Sequence, residues 1–346
     1  MKLNVVHHGS LSTSLAAVVC AGALALTLAA LPSPVYGVGS SYFENWAGEV
    51  GSGPDSAWGA ENATDPNNGA VHYTNNTPAM AATNHNPVTL QVISDPTATY
   101  GRALQMTIQP LSGGVYQSSE ISTKLWGGVN GQGGGGAQPG NNIEYGHIEA
   151  SIKVAGAPGS GADTVWPAFW MLGDNISTVG STTGVGWPRC GEIDIMETKG
   201  SQETVNQAHL HCETKSGSGD VGGGSGVGGT YTLPSGALMY NAYHTYAIDW
   251  SPGKISWSID GLTYLTETTT SSNFTNANGL WAFDGHPFYL IFDICQGGGF
   301  AGISGHTISQ PLNMDVAYVS VTASPEPTSA AILLLGAGGL LFRRRR

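Results

Sequence analysis

The chain has 346 residues, of which 10% are charged, 51 are glycine, nine are Trp and thirteen are Tyr. That length suits one large domain or two small ones, and all-β sandwiches of this size fold as single units. Little charge with many Gly, Thr, Ser and aromatic residues excludes a helical bundle, which needs Ala, Leu, Glu and Lys, and a net charge of −12 disfavours nucleic acid and anionic membranes as partners.

At the N-terminus Lys2 and two histidines precede an apolar stretch from Leu15 to Leu31 and a run of small residues. This is the layout of a secretory signal, cleaved between Ala29 and Gly37. The stretch is slightly long for a signal, so an uncleaved anchor would look similar. Residues 1–37 are read as the signal peptide.

Beyond it, short alternating segments recur: Ala103 to Ile108, Gly146 to Ile152, Thr245 to Trp250 and Met314 to Val321. Each has a period of two and is bounded by Gly, Pro, Asn or Ser, as strands are. Lys254 to Ile259, then Asp260-Gly261, then Leu262 to Tyr264 predicts a hairpin with a type I′ turn. No central stretch carries a helical period. The expected class is all-β, two packed antiparallel sheets. Glycine-rich stretches at Gly131 to Gly136 and Gly217 to Gly229 are expected to be loops. The second contains a formal G-x-G-x-x-G without the strand–helix context of a nucleotide site.

Trp166 to Leu172 alternates so that Trp166, Ala168 and Trp170 share one face and Phe169 and Met171 the other. Indoles on an open face make flat platforms for sugar rings, though either Trp fits core packing equally well. Trp187, Tyr116 and Trp126 are weaker platform candidates.

The sharpest segment is Gly191-Glu192-Ile193-Asp194-Ile195-Met196-Glu197. In a strand Glu192 and Asp194 point together, while Ile193 and Ile195 enter the core. Glu197 would face the wrong way unless one extra residue near Ile195-Met196, a β-bulge, turns it back. Crowded acids repel, so one is held protonated while another stays ionised, the division that glycoside cleavage requires. Close spacing on one strand favours retention, in which the carboxyls stand about 5–5.5 Å apart. A solvated acidic face or a calcium site would use the same residues. His209 and His211 share a face of the following segment; singly they fit ordinary sheet histidines, together they could also meet a metal.

Outside the signal stand Cys190, Cys212 and Cys295, enough for one disulfide and one thiol in an oxidising compartment. No Cys-x-x-Cys pair suggests structural zinc. The tail has Pro325-Glu326-Pro327, an apolar run from Ala330 to Phe342 and Arg343 to Arg346. Thirteen apolar residues fall short of the roughly 20 that span a bilayer. The layout resembles the bacterial PEP-CTERM sorting signal, which implies export, processing by a membrane sorting enzyme, and a secreted or cell-envelope location. Without Lys2, Glu326 and the terminal arginines, 23 acidic and 7 basic side chains remain, which suits a neutral substrate.

Taken with their spacing, these segments resemble glycoside hydrolase family 16, and within it the bacterial endo-β-1,3-glucanases of laminarinase type. The resemblance rests on Asp65 to Tyr73, Tyr145 to Ala150, Trp166 to Leu172, Gly186 to Glu197, Gly228 to Pro234, Tyr243 to Tyr246, Asp249 to Pro252 and His286 to Ile291. It runs from about Tyr42 to Val321, and residues 38–323 are read as the catalytic domain, with 324–346 as the sorting signal. It implies a β-jelly roll of concanavalin A type whose concave sheet forms the sugar cleft. It also implies Glu192 as nucleophile, Glu197 as acid/base, Asp194 as the helper that orients the nucleophile, and His211 near the acid/base and the sugar.

Departures fall around the cleft. Where the family usually has Asn-x-Ala-x-Gly-Gly-Asn-Trp, this chain has Asp293-Ile294-Cys295-Gln296-Gly297-Gly298-Gly299-Phe300, and Gln296 is expected to face the cleft. Cys212-Glu213 replaces small residues after His211, and an Asp that often holds calcium is replaced by Ala317, so no metal is expected. No cofactor is expected either. The expected protein is a monomeric, retaining endo-hydrolase of β-1,3 or mixed β-1,3-1,4 glucan, with Trp166, Trp170, Trp187, His211 and Gln296 on the substrate. The rivals are a hydrolase of agar, porphyran or carrageenan, a transglycosylase, and a non-catalytic sugar-binding jelly roll.

Overall fold

The structure, a computed structural model, describes residues 41–48, 50–54, 58–60, 71–74, 77–84, 88–124, 143–155, 164–176, 185–217, 219–234, 237–240, 242–301 and 308–324. The N-terminal signal, Trp126, the Gly131 to Gly136 stretch and the Pro-Glu-Pro tail lie outside the described residues.

Seventeen strands are described: β1 Tyr42–Glu44, β2 Gly59–Ala60, β3 Val71–Tyr73, β4 Leu90–Ser94, β5 Arg102–Pro110, β6 Tyr116–Ser118, β7 Glu120–Ser122, β8 Gly146–Ala155 and β9 Val165–Gly173, then β10 Glu192–Glu197, β11 Val205–His211, β12 Val227–Thr232, β13 His244–Ser251, β14 Lys254–Ile259, β15 Leu262–Thr268, β16 Phe288–Gln296 and β17 Leu312–Ala323. Three short helices join them, α1 Pro78–Asn84, α2 Ser272–Asn276 and α3 Gly298–Ala301. The strands form two sheets. The larger runs β15-β14-β13-β8-β17-β5-β6-β3, with β1 added on β17 and β4 on β5; the smaller runs β12-β11-β10-β9-β16-β7-β2. Only β3 with β6 is parallel among these strand pairs. The result is the expected all-β jelly-roll sandwich.

Alternation explains why the sheets pack. In β8, Ile148, Ala150 and Ile152 are fully buried; in β9, Phe169 and Met171 are, and in β16, Phe288, Leu290, Phe292 and Ile294. These inward rows meet in one apolar core. Phe169 and Phe292 stack with centroids 4.5 Å apart, a pairing worth about 0.5–1.5 kcal/mol beyond its buried area. The other face of the smaller sheet is left for chemistry. The predicted hairpin forms between β14 and β15, with Asp260 at φ 50° and Gly261 at φ 77°, the left-handed pair that a type I′ turn needs.

Three expectations change. Gly217 to Gly229 is not one loop, because Val227 to Gly229 opens β12 beside β11. Gly228 is required there: a Cβ would stand 1.9 Å from the Ala208 carbonyl oxygen. Tyr116 is a core residue, 5% exposed, and no platform. No disulfide forms among the described residues: Cys190, Cys212 and Cys295 are all buried as thiols, and burial pushes Cys190 and Cys212 up to about 12.

Candidate active site

Strand β10 carries Glu192, Asp194 and Glu197 in the middle of the smaller sheet, between β9 and β11. Its register on β9 pairs Asp194 with Trp170 but Met196 with Phe169, so Ile195 is one residue too many. This is the bulge that the spacing predicts, and it returns Glu197 to the side of Glu192 and Asp194, opposite Ala168. Ile193, Ile195 and Met196 all enter the core. Two side chains satisfy the main chain at the bulge: Trp257 Nε1 donates to the Asp194 carbonyl at 2.8 Å, and Asn206 Nδ2 to the Ile195 carbonyl at 3.4 Å.

Each glutamate has its own indole donor. The Trp166 indole donates to Glu197 Oε1 at 3.0 Å, and His209 Nδ1 lies 3.0 Å from Glu197 Oε2. The Trp187 indole donates to Glu192 Oε2 at 2.9 Å. His211 Nε2 is 3.3 Å from Asp194 Oδ2 and 3.8 Å from Glu192 Oε1. Burial, and then the charge of Asp194, holds the Glu192 carboxyl well above the usual carboxylate range; His211 and Trp187 pull it back. Glu197 is raised by the same two causes and pulled back by His209 and His211. Such a site can hold a proton near neutral pH on one carboxyl while another is ionised.

The sequence expectation put His211 near Glu197. The structure gives that place to His209, and sets His211 against Asp194 and Glu192 instead. The reason is register: Glu192 pairs with His211 and Glu197 with Gln207, so Glu197 stands two residues from His209 along β11 and four from His211. Two groupings, Glu192 with Asp194 and His211, and Asp194 with Glu197 and His209, bring donor atoms within 4.8 Å of one another.

Trp166 and Trp170 lie on the open face of β9, as expected, and both are partly exposed. The Trp170 indole donates to Asp293 Oδ1 at 2.8 Å, and Tyr73 OH to Asp293 Oδ2 at 3.2 Å. Trp187, 49% exposed, stands at the rim. Gln296 departs from expectation. It pairs with Val165, one step out of phase with Asp293 and Cys295, and is 3% exposed, donating to Thr164 Oγ1 at 3.1 Å. Alternation therefore turns it away from the open face. In its stead Phe300 from α3 lies against Trp166, centroids 4.7 Å apart, with His209 at 6.5 Å and Lys199 Nζ 4.2 Å from its ring. Sequence reasoning missed Asp220, Asp293 and the pairing of His209 with Glu197, because each contact spans strands or loops without a local motif. Phe300, flagged only as the loss of a Trp, supplies a ring beside Trp166.

Comparison with known proteins agrees with this geometry. Residues 70–309 match the family described as Glycosyl hydrolases family 16. The chain is 32% identical over 187 residues to "Glucan endo-1,3-beta-glucosidase A1" of Niallia circulans, covering 52% of this chain and 24% of that protein. It is 34% identical over 179 residues to "Beta-glucanase" of Rhodothermus marinus, covering 51% and 57%. It thus spans less than two thirds of the length of either relative. The crystal structure of an endo-1,3-beta-glucanase from Streptomyces sioyaensis superposes with a TM-score of 0.60 at 25% identity, over 82% of this chain and 96% of that one. With a sandwich of two sheets, a bulged acidic strand in the smaller one, and a family match over most of its length, the chain belongs to glycosyl hydrolases family 16.

Proposed function

We propose that the chain is a retaining, endo-acting hydrolase of β-1,3 or mixed β-1,3-1,4 glucan, with Glu192 as nucleophile and Glu197 as acid/base. The observation that carries this reading is the bulge at Ile195, which sets three carboxylates on one open face, with a different indole donor on each glutamate. In the first step the Glu197 proton passes to the glycosidic oxygen, the bond from that oxygen to the anomeric carbon breaks, and a Glu192 oxygen bonds to that carbon. In the second, water gives a proton to Glu197, its oxygen takes the anomeric carbon, and Glu192 leaves as carboxylate.

The two flanking sets suit these roles. His211 puts positive charge beside Glu192 and favours an ionised nucleophile. His209 Nδ1 can donate or accept according to its tautomer, so it can partner Glu197 both with and without its proton. Asp194 lies between them and is buried.

A neutral sugar fits better than a sulfated one. Of the basic residues near the acidic motif in sequence, Arg189 is tied through two of its nitrogens to Glu213, each at 2.8 Å, and Lys199 lies over the Phe300 ring. Asp293 adds a further acid to the open face. Trp166, Trp170 and Trp187 supply ring faces for the chain of sugars. The signal at 1–37 and the tail at 324–346 support export and processing at the envelope by a sorting enzyme.

A reducing-end assay on β-glucans and galactans tests the substrate. Release of oligosaccharides from laminarin-type glucan, with little from agar or carrageenan, is expected. Cleavage of galactans alone would overturn it.

A further inference from the structure

The glycine-rich segment after β11 has no part in the reaction as drawn so far, yet it lies directly behind His211. Asp220 sits on it, with its side chain 3% exposed. One oxygen, Oδ2, is 2.6 Å from His211 Nδ1, and the other accepts the Cys212 amide at 3.2 Å. The Val221 amide donates to the Cys212 carbonyl at 3.0 Å, so the segment is stitched to the end of β11. Gly226, at φ 70°, closes it over the ring: a Cβ there would stand 2.9 Å from His211 Cε1 and 3.0 Å from Nε2. The same turn is tied by Glu213 to Arg189, two residues from the Trp187 that donates to Glu192.

The imidazole of His211 thus has a carboxylate at each nitrogen, Asp220 at Nδ1 and Asp194 with Glu192 at Nε2. Where those carboxylates are ionised they only accept, so a ring that serves both of its nitrogens does so as an imidazolium. We propose that Asp220 is a positioning residue, which holds His211 as a fixed cation with its Nε2 edge facing Asp194 and Glu192, and so keeps the nucleophile ionised and oriented. This rests on the assignment of Glu192 as nucleophile.

The surroundings agree. The charged and titratable groups facing His211 are Glu192, Asp194 and Glu197 from β10, His209 from its own strand and Asp220 from the loop. Burial pulls the ring's pKa down, but Asp194 and then Asp220 outweigh it and push it up to about 12. Its charge in turn pulls the pKa of Glu192 down.

The experiment uses the full chain and Asp220→Asn, with histidine ring resonances followed by NMR against pH and kcat and KM measured on laminarin-type glucan. In the unmodified protein His211 is expected to stay protonated throughout. In Asp220→Asn the ring should titrate within the accessible range, kcat should fall at least about tenfold with KM within about twofold, and the acid limb of the pH profile should move up. Asp220→Glu should restore part of kcat. A folded Asp220→Asn with unchanged kcat, pH profile and ring resonances overturns the proposal. Should Asp220→Asn not fold, Gly226→Ala carries the test, because it displaces the ring without removing charge: lowered kcat at constant KM supports the proposal and an unchanged kcat overturns it. The NMR readout needs no substrate, so inactivity on β-glucan would count against the substrate reading and leave the His211–Asp220 pair to be judged by its resonances.

Discussion

The Trp257 indole, reaching from β14 in the larger sheet, donates to the main-chain carbonyl of Asp194 in the smaller one at 2.8 Å. Trp257 is fully buried, so this bond crosses the core to the strand that carries the acids. The bulge leaves carbonyls on β10 without regular ladder partners, and this indole and Asn206 meet them. The core of the sandwich thereby fixes the backbone beneath the reacting groups.

Trp257→Phe keeps most of the apolar volume and removes the donor. The orphaned carbonyl should cost about 1–3 kcal/mol in stability. Because the bulge is released, kcat should fall in the folded variant while KM changes little. Chemical denaturation and steady-state kinetics on one preparation check both.

Trp166→Phe removes the hydrogen bond on Glu197 Oε1 and keeps a ring in the cleft. If Glu197 is the proton donor, the loss of kcat should be large on polysaccharide, about 10- to 100-fold, and much smaller on an aryl glycoside whose leaving group needs no proton. Equal losses on the two substrates would place Trp166 in sugar binding alone.

Glu192→Gln should stabilise the fold at neutral pH. A carboxyl whose folded pKa is raised contributes stability that is fully present below its unfolded value, about 4.3, and is lost as pH rises through the folded one. Removing its charge should therefore leave the variant more stable than the parent by about 0.5–2 kcal/mol at neutral pH. The difference should vanish below about pH 4. Thermal melts across pH give the comparison.

On the outer face of the larger sheet, Lys153 bridges two buried acids, in direct contact with Asp95 and 3.3 Å from Asp315, with the Tyr243 hydroxyl on Asp95 at 2.9 Å. Burial raises the Asp95 carboxyl, but Lys153, Thr97 and Tyr243 outweigh it and hold it well below the usual range. That stability is present above about pH 4 and is lost as pH falls through the depressed folded value. Lys153→Met should cost about 3 kcal/mol at neutral pH, and less in acid. Urea melts at pH 7 and pH 3 test the sign.

Much of this was legible before any coordinates. Period-two alternation placed β5, β8, β13 and β17, and Asp260-Gly261 placed the hairpin, because these signals are local. The bulge followed from parity alone: Glu197 is five residues after Glu192, and only an extra residue reconciles that with a shared face. The histidines were harder. Which of His209 and His211 meets Glu197 is set by the cross-strand register, which cannot be read from either strand by itself. Gln296 failed for a related reason. Its phase is set by the pairing of β16 with β9, which puts Asp293 on the open face and Gln296 off it. Asp220 lay in a glycine-rich stretch that looked like plain loop, and only the fold brings it to His211.

The assignment of roles to Glu192 and Glu197 is tested most directly by the products formed when azide rescues the two alanine variants on an activated β-glucoside of laminarin type. Glu197→Ala should recover turnover with azide and give the β-glycosyl azide, because azide attacks the Glu192 intermediate from the face that water would use. Glu192→Ala should give the α-glycosyl azide by direct attack. The opposite anomers, or near-normal hydrolysis of glucan by either variant without azide, would contradict it.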